Sequence, residues 1–527
     1  MRSYYAHLET AMGKGKKDFS NKPIFRSSAI FPVIKRDGIT SRILFMGYWL
    51  IKRQIKQIAA VVTLRSLDGI VLNRNHFHIE EAKTFRIELE DQLQEAGLSE
   101  KDSFTGSLEI EFFSTVNMVF PFPAAVINYY GPHFCTQVHT AQRVYNDYDD
   151  MRTNSQKEVP EAGFNVYTDV VKEPFISLIN GSDAIVDNKI NMTFFNSDNE
   201  VLKHELKLGN MDPYQMYLLY PARFLDLKEF LKGKVGSAKL QFRVNGIFPR
   251  LIVGNLDNSL PAVSITHTYY DCTEATSETD YWINVDPNWH PAAMIAPIYS
   301  GPDEFTNIYF YPIYSPSNFA IDIEIFNAQG TLLGKQENAL TITAPFKDFA
   351  KLSINEMLAE HGISKSDNLM ARVSARPANN SRLPARVKIG LDIGLVKGKM
   401  PCNICTNLQP YLPQLETKPS TFHWAPMIAD QPGACIWIIN TSLERNYQKT
   451  AEIKLTFYHE KDAQIITRQL VLPPLGFTVI EVDKDNELKQ FFEGKPGWCT
   501  IVTTAPYTAC YYLTKHPSGV IGGDHCF

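Results

Sequence analysis

Histidines and cysteines recur at matching places along this chain, and imidazole and thiolate are both metal ligands. Cys135-Thr-Gln-Val-His139-Thr, Ser264-Ile-Thr-His267-Thr, Cys402-Asn-Ile-Cys405-Thr and Gly523-Asp-His525-Cys526 each close an apolar run. If a repeated fold brought those ends together, His139, His267 and His525 would line one ligand site. Cys402 and Cys405 with His525 form the alternative metal set. Cys402-x-x-Cys405 stands alone, however, whereas a structural zinc site normally shows two such pairs. No metal and no cofactor is therefore expected, and the bland reading makes these residues strand caps or the lining of an interface. A second candidate pairs His290 with Trp289 and His423 with Trp424. Aromatic faces beside hydrogen-bonding groups suit a sugar or another small ligand. The competing reading has both tryptophans, Met294 and Met427 closing a core. His76 and His78 flank Phe77 at strand spacing and are expected on one exposed face.

The usual signatures of catalysis are missing. The chain has no phosphate-binding G-x-x-x-x-G-K-[ST], no G-x-G-x-x-G after a strand, no H-E-x-x-H and no G-x-S-x-G. Gly233-Lys-Val-Gly236-Ser-Ala-Lys239 has the composition of a phosphate loop with the wrong spacing, and it follows a helix. Asp147, Asp149 and Asp150 read as a solvated connector, because one sequence does not show which two carboxylates face each other across a cleft. No catalytic residue is assigned.

The elements that must position these side chains come from a repeat. At 527 residues the chain exceeds a single core, and 44% hydrophobic with 21% charged residues is ordinary globular usage. His290-Pro-Ala-Ala-Met294-Ile-Ala recurs as His423-Trp-Ala-Pro-Met427-Ile-Ala. A short amphipathic segment closed by glycine occurs four times, ending at Gly97, Gly233, Gly362 and Gly494. Each reads as one or two helical turns stopped by a left-handed cap, and a strand follows. Alternation along Ser107-Leu-Glu-Ile-Glu-Phe and Ala238-Lys-Leu-Gln-Phe-Arg-Val predicts sheets with one wet face. Asp68-Gly69 and Gln329-Gly330 supply the bends between strands. The fold class predicted is mainly β: four tandem antiparallel β-sandwich domains, each with one short helix. The boundaries expected are a tail at 1–24, then repeats at 25–145, 173–272, 289–405 and 423–527. Polar connectors are expected near 146–172, 273–288 and 406–422.

Repeat four, with Ala434-Cys-Ile-Trp-Ile-Ile-Asn-Thr, Ala451-Glu-Ile-Lys-Leu-Thr-Phe-Tyr and Val471-Leu-Pro-Pro-Leu-Gly-Phe, resembles the strand order of the sensory rhodopsin transducer family. Ser264-Ile-Thr-His267-Thr resembles that family's terminal strand. The resemblance implies small soluble sandwiches that associate in fours, here fused in one chain, and it carries no catalytic motif. Repeat one departs most, through the apolar stretch Ile43–Ile51.

That stretch is half the length a membrane-spanning helix needs and reads as a buried strand. The formal net charge of −5, with scattered basic residues, does not suggest nucleic acid. With no signal-like leader and eight dispersed cysteines, reduced thiols in a cytoplasm are expected, and sequons such as those at Asn180 and Asn440 read as chance. The function expected is non-enzymatic binding or scaffolding toward a protein or carbohydrate partner. The alternatives are a glycan-processing enzyme with carboxylates between repeats and a cytoplasmic signalling adaptor. No motif specifies the ligand or the oligomeric state.

Overall fold

The computed structural model describes residues 23–526 with the exception of 99–102, 121, 141, 145–156, 170, 247, 271–280, 283–285, 316, 345, 347, 365–367, 379–382, 385–386, 399 and 412. The β-branched and aromatic runs form antiparallel strands, as their propensity dictates. In the first sandwich these are β1 (Arg26–Lys35), β2 (Thr40–Met46), β3 (Ile58–Ser66), β4 (Val71–Ile79), β5 (Thr84–Glu88), β6 (Phe104–Ser114), β7 (Ala125–Gly131) and β8 (Phe134–Val138). One sheet has the order β1-β6-β3-β4, the other β5-β2-β7-β8. The short helix Leu89–Glu95 joins β5 to β6.

The same order of first-sixth-third-fourth and fifth-second-seventh-eighth strands recurs three times, with two additions: in the second copy a short strand Tyr269–Tyr270 pairs with the first strand, and in the third the first and eighth strands pair at Ala292–Pro410 and Ala293–Gln409, joining both sheets into one of eight strands. The second sandwich runs from Lys157–Val166 to Ala262–His267, the third from Ala292–Ile298 to Cys402–Pro410, and the fourth from Thr421–Met427 to Ile521–His525. Each places its short helix before the sixth strand: Leu227–Leu231, Ile354–Glu360 and Asn486–Phe492. Inward residues of both sheets make the core. In the second sandwich Ile190 and Leu240 meet Ile176 and Val253, all within 1% of full burial.

The four copies are not evenly related. The chain divides into two compact units, formed chiefly by residues 15–270 and 271–527, and each unit holds two sandwiches. Within each unit the β3–β4 hairpin of the first sandwich docks on the bend before the fifth strand of the second. In the first unit Met216 N donates to Leu67 O at 2.8 Å; in the second Phe477 N donates to Ala328 O at 3.1 Å. Gly69 and Gly330 sit at these contacts with φ of 81° and 77°. A Cβ there would lie 2.3 Å from Pro213 O and 2.0 Å from Pro474 O, so no side chain fits. Asn180 and Asn440 brace the same bend with their buried amides, donating to Asp212 O at 2.9 Å and to Pro473 O at 2.9 Å. Both sequon asparagines are fully buried.

The helix ends also alternate. In the first and third sandwiches a right-handed or near-helical residue precedes the glycine. In the second and fourth, Lys232 and Glu493 are themselves left-handed, and an aspartate caps the N-terminus: Asp226 accepts from Glu229 N at 3.0 Å and Asp485 from Leu488 N at 3.1 Å.

Three expectations are corrected. The run Ile43–Ile51 is not one strand: β2 stops at Met46, and a helix Tyr48–Arg53 follows Gly47, with Trp49 buried on it. The first sandwich therefore has two helices. The connector expected at 146–172 contains the first strand of the second sandwich, Lys157–Val166, which pairs with the sixth strand Gly236–Val244. The connector at 406–422 likewise holds the end of strand Cys402–Pro410, a turn of helix at Pro413–Glu416 and the start of strand Thr421–Met427. Polar composition hid these strands, since a backbone ladder does not require apolar side chains on both faces. The connector at 273–288 falls largely outside the described residues.

Candidate functional site

Each histidine or cysteine singled out at a repeat end belongs to, or directly follows, an eighth strand, and within each unit the two eighth strands meet. In the first unit His139 and His267 come together, their rings perpendicular with centroids 5.2 Å apart. Both are buried, and His267 Nδ1 lies 2.8 Å from Thr268 O and 3.3 Å from Arg250 Nη1. In the second unit Cys402 Sγ donates to Gly523 O at 3.3 Å. His525 stands beside Asp524, Nε2 to Oδ1 4.0 Å, with Nδ1 3.1 Å from Cys526 O.

The pair Cys402 and Cys405 does not chelate. Three residues apart on one strand, they face opposite sides of the sheet. Among the described residues neither joins a group of three or more ligand atoms suited to a metal. Burial raises the Cys402 thiol well above its ordinary range. Cys135, Cys405, Cys435, Cys499 and Cys510 are buried too, and none of the seven described cysteines is in a disulfide. Cys272 lies outside the described residues. Thiols buried in apolar surroundings are poor nucleophiles, so this set has the character of core packing.

The two start motifs part company. Trp424 is 5% exposed and stacks on the buried Trp498 at 5.2 Å, while His423 is half-buried in the same strand. That pair closes a core. Trp289 stays half-buried and packs against the Tyr411 ring, tilted by 33° with centroids 4.9 Å apart. The adjoining His290 is 6% exposed, and its backbone N donates to Leu443 O at 2.8 Å. Burial first, then Arg372 and Arg445, press its pKa down to about 3, so the imidazole is neutral. Arg445 Nη1 lies 3.4 Å from His290 Nδ1, and its Nε donates to Pro287 O at 2.9 Å. Arg372 donates through Nε and Nη2 to Glu324 Oε2, each at 2.7 Å.

The sequence reading missed a buried charge cluster in the first sandwich. Glu109 and Glu111 on β6 were expected on a wet face; they are 1% and 4% exposed. Arg26 bonds Glu111 Oε1 through Nε at 3.0 Å and through Nη2 at 2.7 Å, and reaches Glu109 at 3.4 Å. Arg65 holds Glu109 at 2.9 Å and lies over the Tyr214 ring at 4.1 Å. Burial and the adjoining Glu111 push the Glu109 carboxyl up against the pull of both arginines. Alternation was a correct signal for side-chain direction, but not for exposure. His76 and His78 are exposed as expected, and His76 lines a shallow cleft of about 470 Å³ with Arg74, Phe77, Gln92 and Glu95.

No family model matches this chain, and no curated protein matches it. Among solved structures it is aligned with the crystal structure of a tetra-tandem repeat in the extending region of a large adhesion protein, at 6% identity over 89% of this chain and 90% of the other. The TM-score of 0.09 is too low to carry an argument about fold or function. Among the described residues no helix is long and apolar enough to cross a membrane.

Proposed function

We propose that this chain is a non-enzymatic binding or scaffolding protein that presents the edges of its repeated sandwiches to a protein partner. The observation that carries the reading is the fourth strand of each sandwich. Among the described residues it ends its sheet in all four copies, leaving one row of backbone donors and acceptors for a further strand. Three of these edges carry charge or histidine outward: Arg74, His76 and His78; Lys203, Glu205 and Lys207; Lys335 and Glu337. The edge Ile465–Leu472 does not: its exposed positions are Ile465, Thr467, Gln469 and Val471, with Ile465 52% and Val471 67% exposed. Charges on an edge discourage strand addition; here the one charge, Arg468, is paired with Asp485 and Glu487, so the edge with no charge at its exposed positions is the competent one. The burial of the candidate thiols and the pairing of Glu109 and Glu111 with arginine agree with a binding role.

A displayed library of extended peptides, selected on the full chain, tests the reading. Peptides retained by the wild type and lost on Gln469→Lys/Val471→Lys support it, provided the variant melts as the wild type does. Equal retention by both proteins, or no enrichment, overturns it.

A further inference from the structure

Residues directly opposed across a hydrogen-bonded antiparallel pair project to the same face with Cα atoms about 5.5 Å apart, and a disulfide spans about 4.4–6.8 Å between Cα atoms. In the fourth sandwich the seventh strand Ala509–Lys515 pairs with the eighth, Ile521–His525, and Tyr511 stands opposite His525. One residue further along the ladder, Cys526 N donates to Cys510 O at 2.8 Å, so the two cysteines oppose each other on adjacent chains of one sheet. Neither is in a disulfide. Cys510 is 4% exposed and belongs to the core between the sheets, and Cys526 packs against that same core. Among the seven described cysteines six are buried and Cys526 alone is half-buried, which makes it the thiol that a reagent in solution meets first. Cys510 needs no such access, because the neighbouring strand presents it to Cys526. Cys499 lies in the same core but is fully buried, on the strand Gly497–Thr503 of the other sheet.

We infer that Cys510 and Cys526 are a redox-active dithiol, closed to a disulfide by exchange with a small disulfide of the glutathione class. The Cys526 thiolate attacks one sulfur of the oxidant and expels its other half as a thiolate, leaving a mixed disulfide on Cys526. Cys510 then gives up its proton, attacks the Cys526 sulfur and expels the second thiolate. The two protein thiols lose two electrons and two protons, and the oxidant takes both up as its own S–S bond becomes two thiols. The new bond ties the end of the eighth strand covalently to the seventh. The inference is independent of the edge-strand reading, and either stands if the other fails.

Incubation of the folded full chain with oxidised glutathione, followed by alkylation of free thiols and peptide mapping by mass spectrometry, tests it. Alkaline pH is used, because burial and the adjoining Cys510 hold the Cys526 thiol well above its ordinary range. The wild type yields a peptide pair joined through Cys510 and Cys526, lost on treatment with dithiothreitol. Cys510→Ala has no thiol to resolve the mixed disulfide and retains one glutathione on Cys526, whereas in Cys526→Ser the Cys510 thiol stays free. Matching thermal midpoints check that the variants fold, and the wild-type map decides the matter if they do not. A folded wild type that keeps both thiols free, retains glutathione on Cys526, or joins Cys526 to Cys499 or another cysteine overturns the assignment.

Discussion

The first and third sandwiches share one topology, yet they carry opposite charge on the outward face of the same sheet. In the first, strand six supplies carboxylates, Glu109 and Glu111, and neighbouring strands supply Arg26 and Arg65. In the third, strand six supplies Arg372 and Arg376, and strand three supplies Glu324 and Asp322. The ladder accepts either polarity because cross-strand neighbours need only be complementary. The difference lies in closure. The first face closes its ion pairs off from solvent almost completely, with Glu109 2% exposed, whereas Glu324 of the third keeps 14% of its side chain exposed. A duplicated fold thus keeps its backbone contacts while its charged faces diverge.

The largest effect that would break this comparison is removal of a clamped carboxylate. Glu109→Ala strands Arg65 in a buried face, while Arg26 keeps Glu111, and should cost about 3–5 kcal/mol, read from the urea midpoint. Glu324→Ala should cost less, since its side chain is 14% exposed against 2% for Glu109. Equal losses would show that the two faces are closed alike.

The shared hairpin docking predicts equality instead. Gly69→Ala and Gly330→Ala each force a left-handed residue with a Cβ against a carbonyl, at a cost of about 1–3 kcal/mol or more. Clearly unequal melting shifts would mean that the two units are not built on one contact.

Acid sharpens the contrast through His290. Its pKa is lowered from 6.5 to about 3. Between those values the unfolded chain binds a proton that the folded chain refuses, so stability falls as pH drops through that window. The slope is up to about 1.4 kcal/mol per pH unit. Denaturation between pH 4 and 6 should therefore be less pH-dependent in His290→Gln than in the wild type. An unchanged slope would remove His290 from the account.

The smallest effects concern the caps of the second and fourth sandwiches. Asp226→Ala should cost about 1 kcal/mol. Asp485→Ala should cost more, because Asp485 also accepts from Arg468 Nη2 at 2.9 Å. Thermal midpoints of the two variants rank them, and the reverse order would show that Arg468 contributes nothing to the cap.

Much of this architecture was legible in the chain. Gly97, Gly233, Gly362 and Gly494 announced four copies, and all four take positive φ. The histidines and cysteines singled out at the repeat ends lie on or next to eighth strands, Cys402 at the start of its strand and His267 and His525 at the end of theirs. Strand Lys157–Val166 escaped notice because its residues lack an apolar alternation, and the break of Ile43–Ile51 at Gly47 was masked by continuous hydrophobicity. Glu109 and Glu111 looked solvated because alternation reports direction alone. Their partners, Arg26 and Arg65, lie 83 and 44 positions away in sequence. Likewise nothing near His290 pointed to Arg445, which is 155 residues distant.

Local chemistry, then, determined the strands, the glycine caps, the tight hairpins and the fourfold repeat, because each depends on backbone conformation and on the period of apolar side chains within a few residues. Only the tertiary structure decided that the four copies fall into two pairs, that Trp424 is buried while Trp289 stays half-buried, and which charges close on each other. Those outcomes rest on desolvation and on pairing between residues far apart in sequence, and no local pattern encodes either.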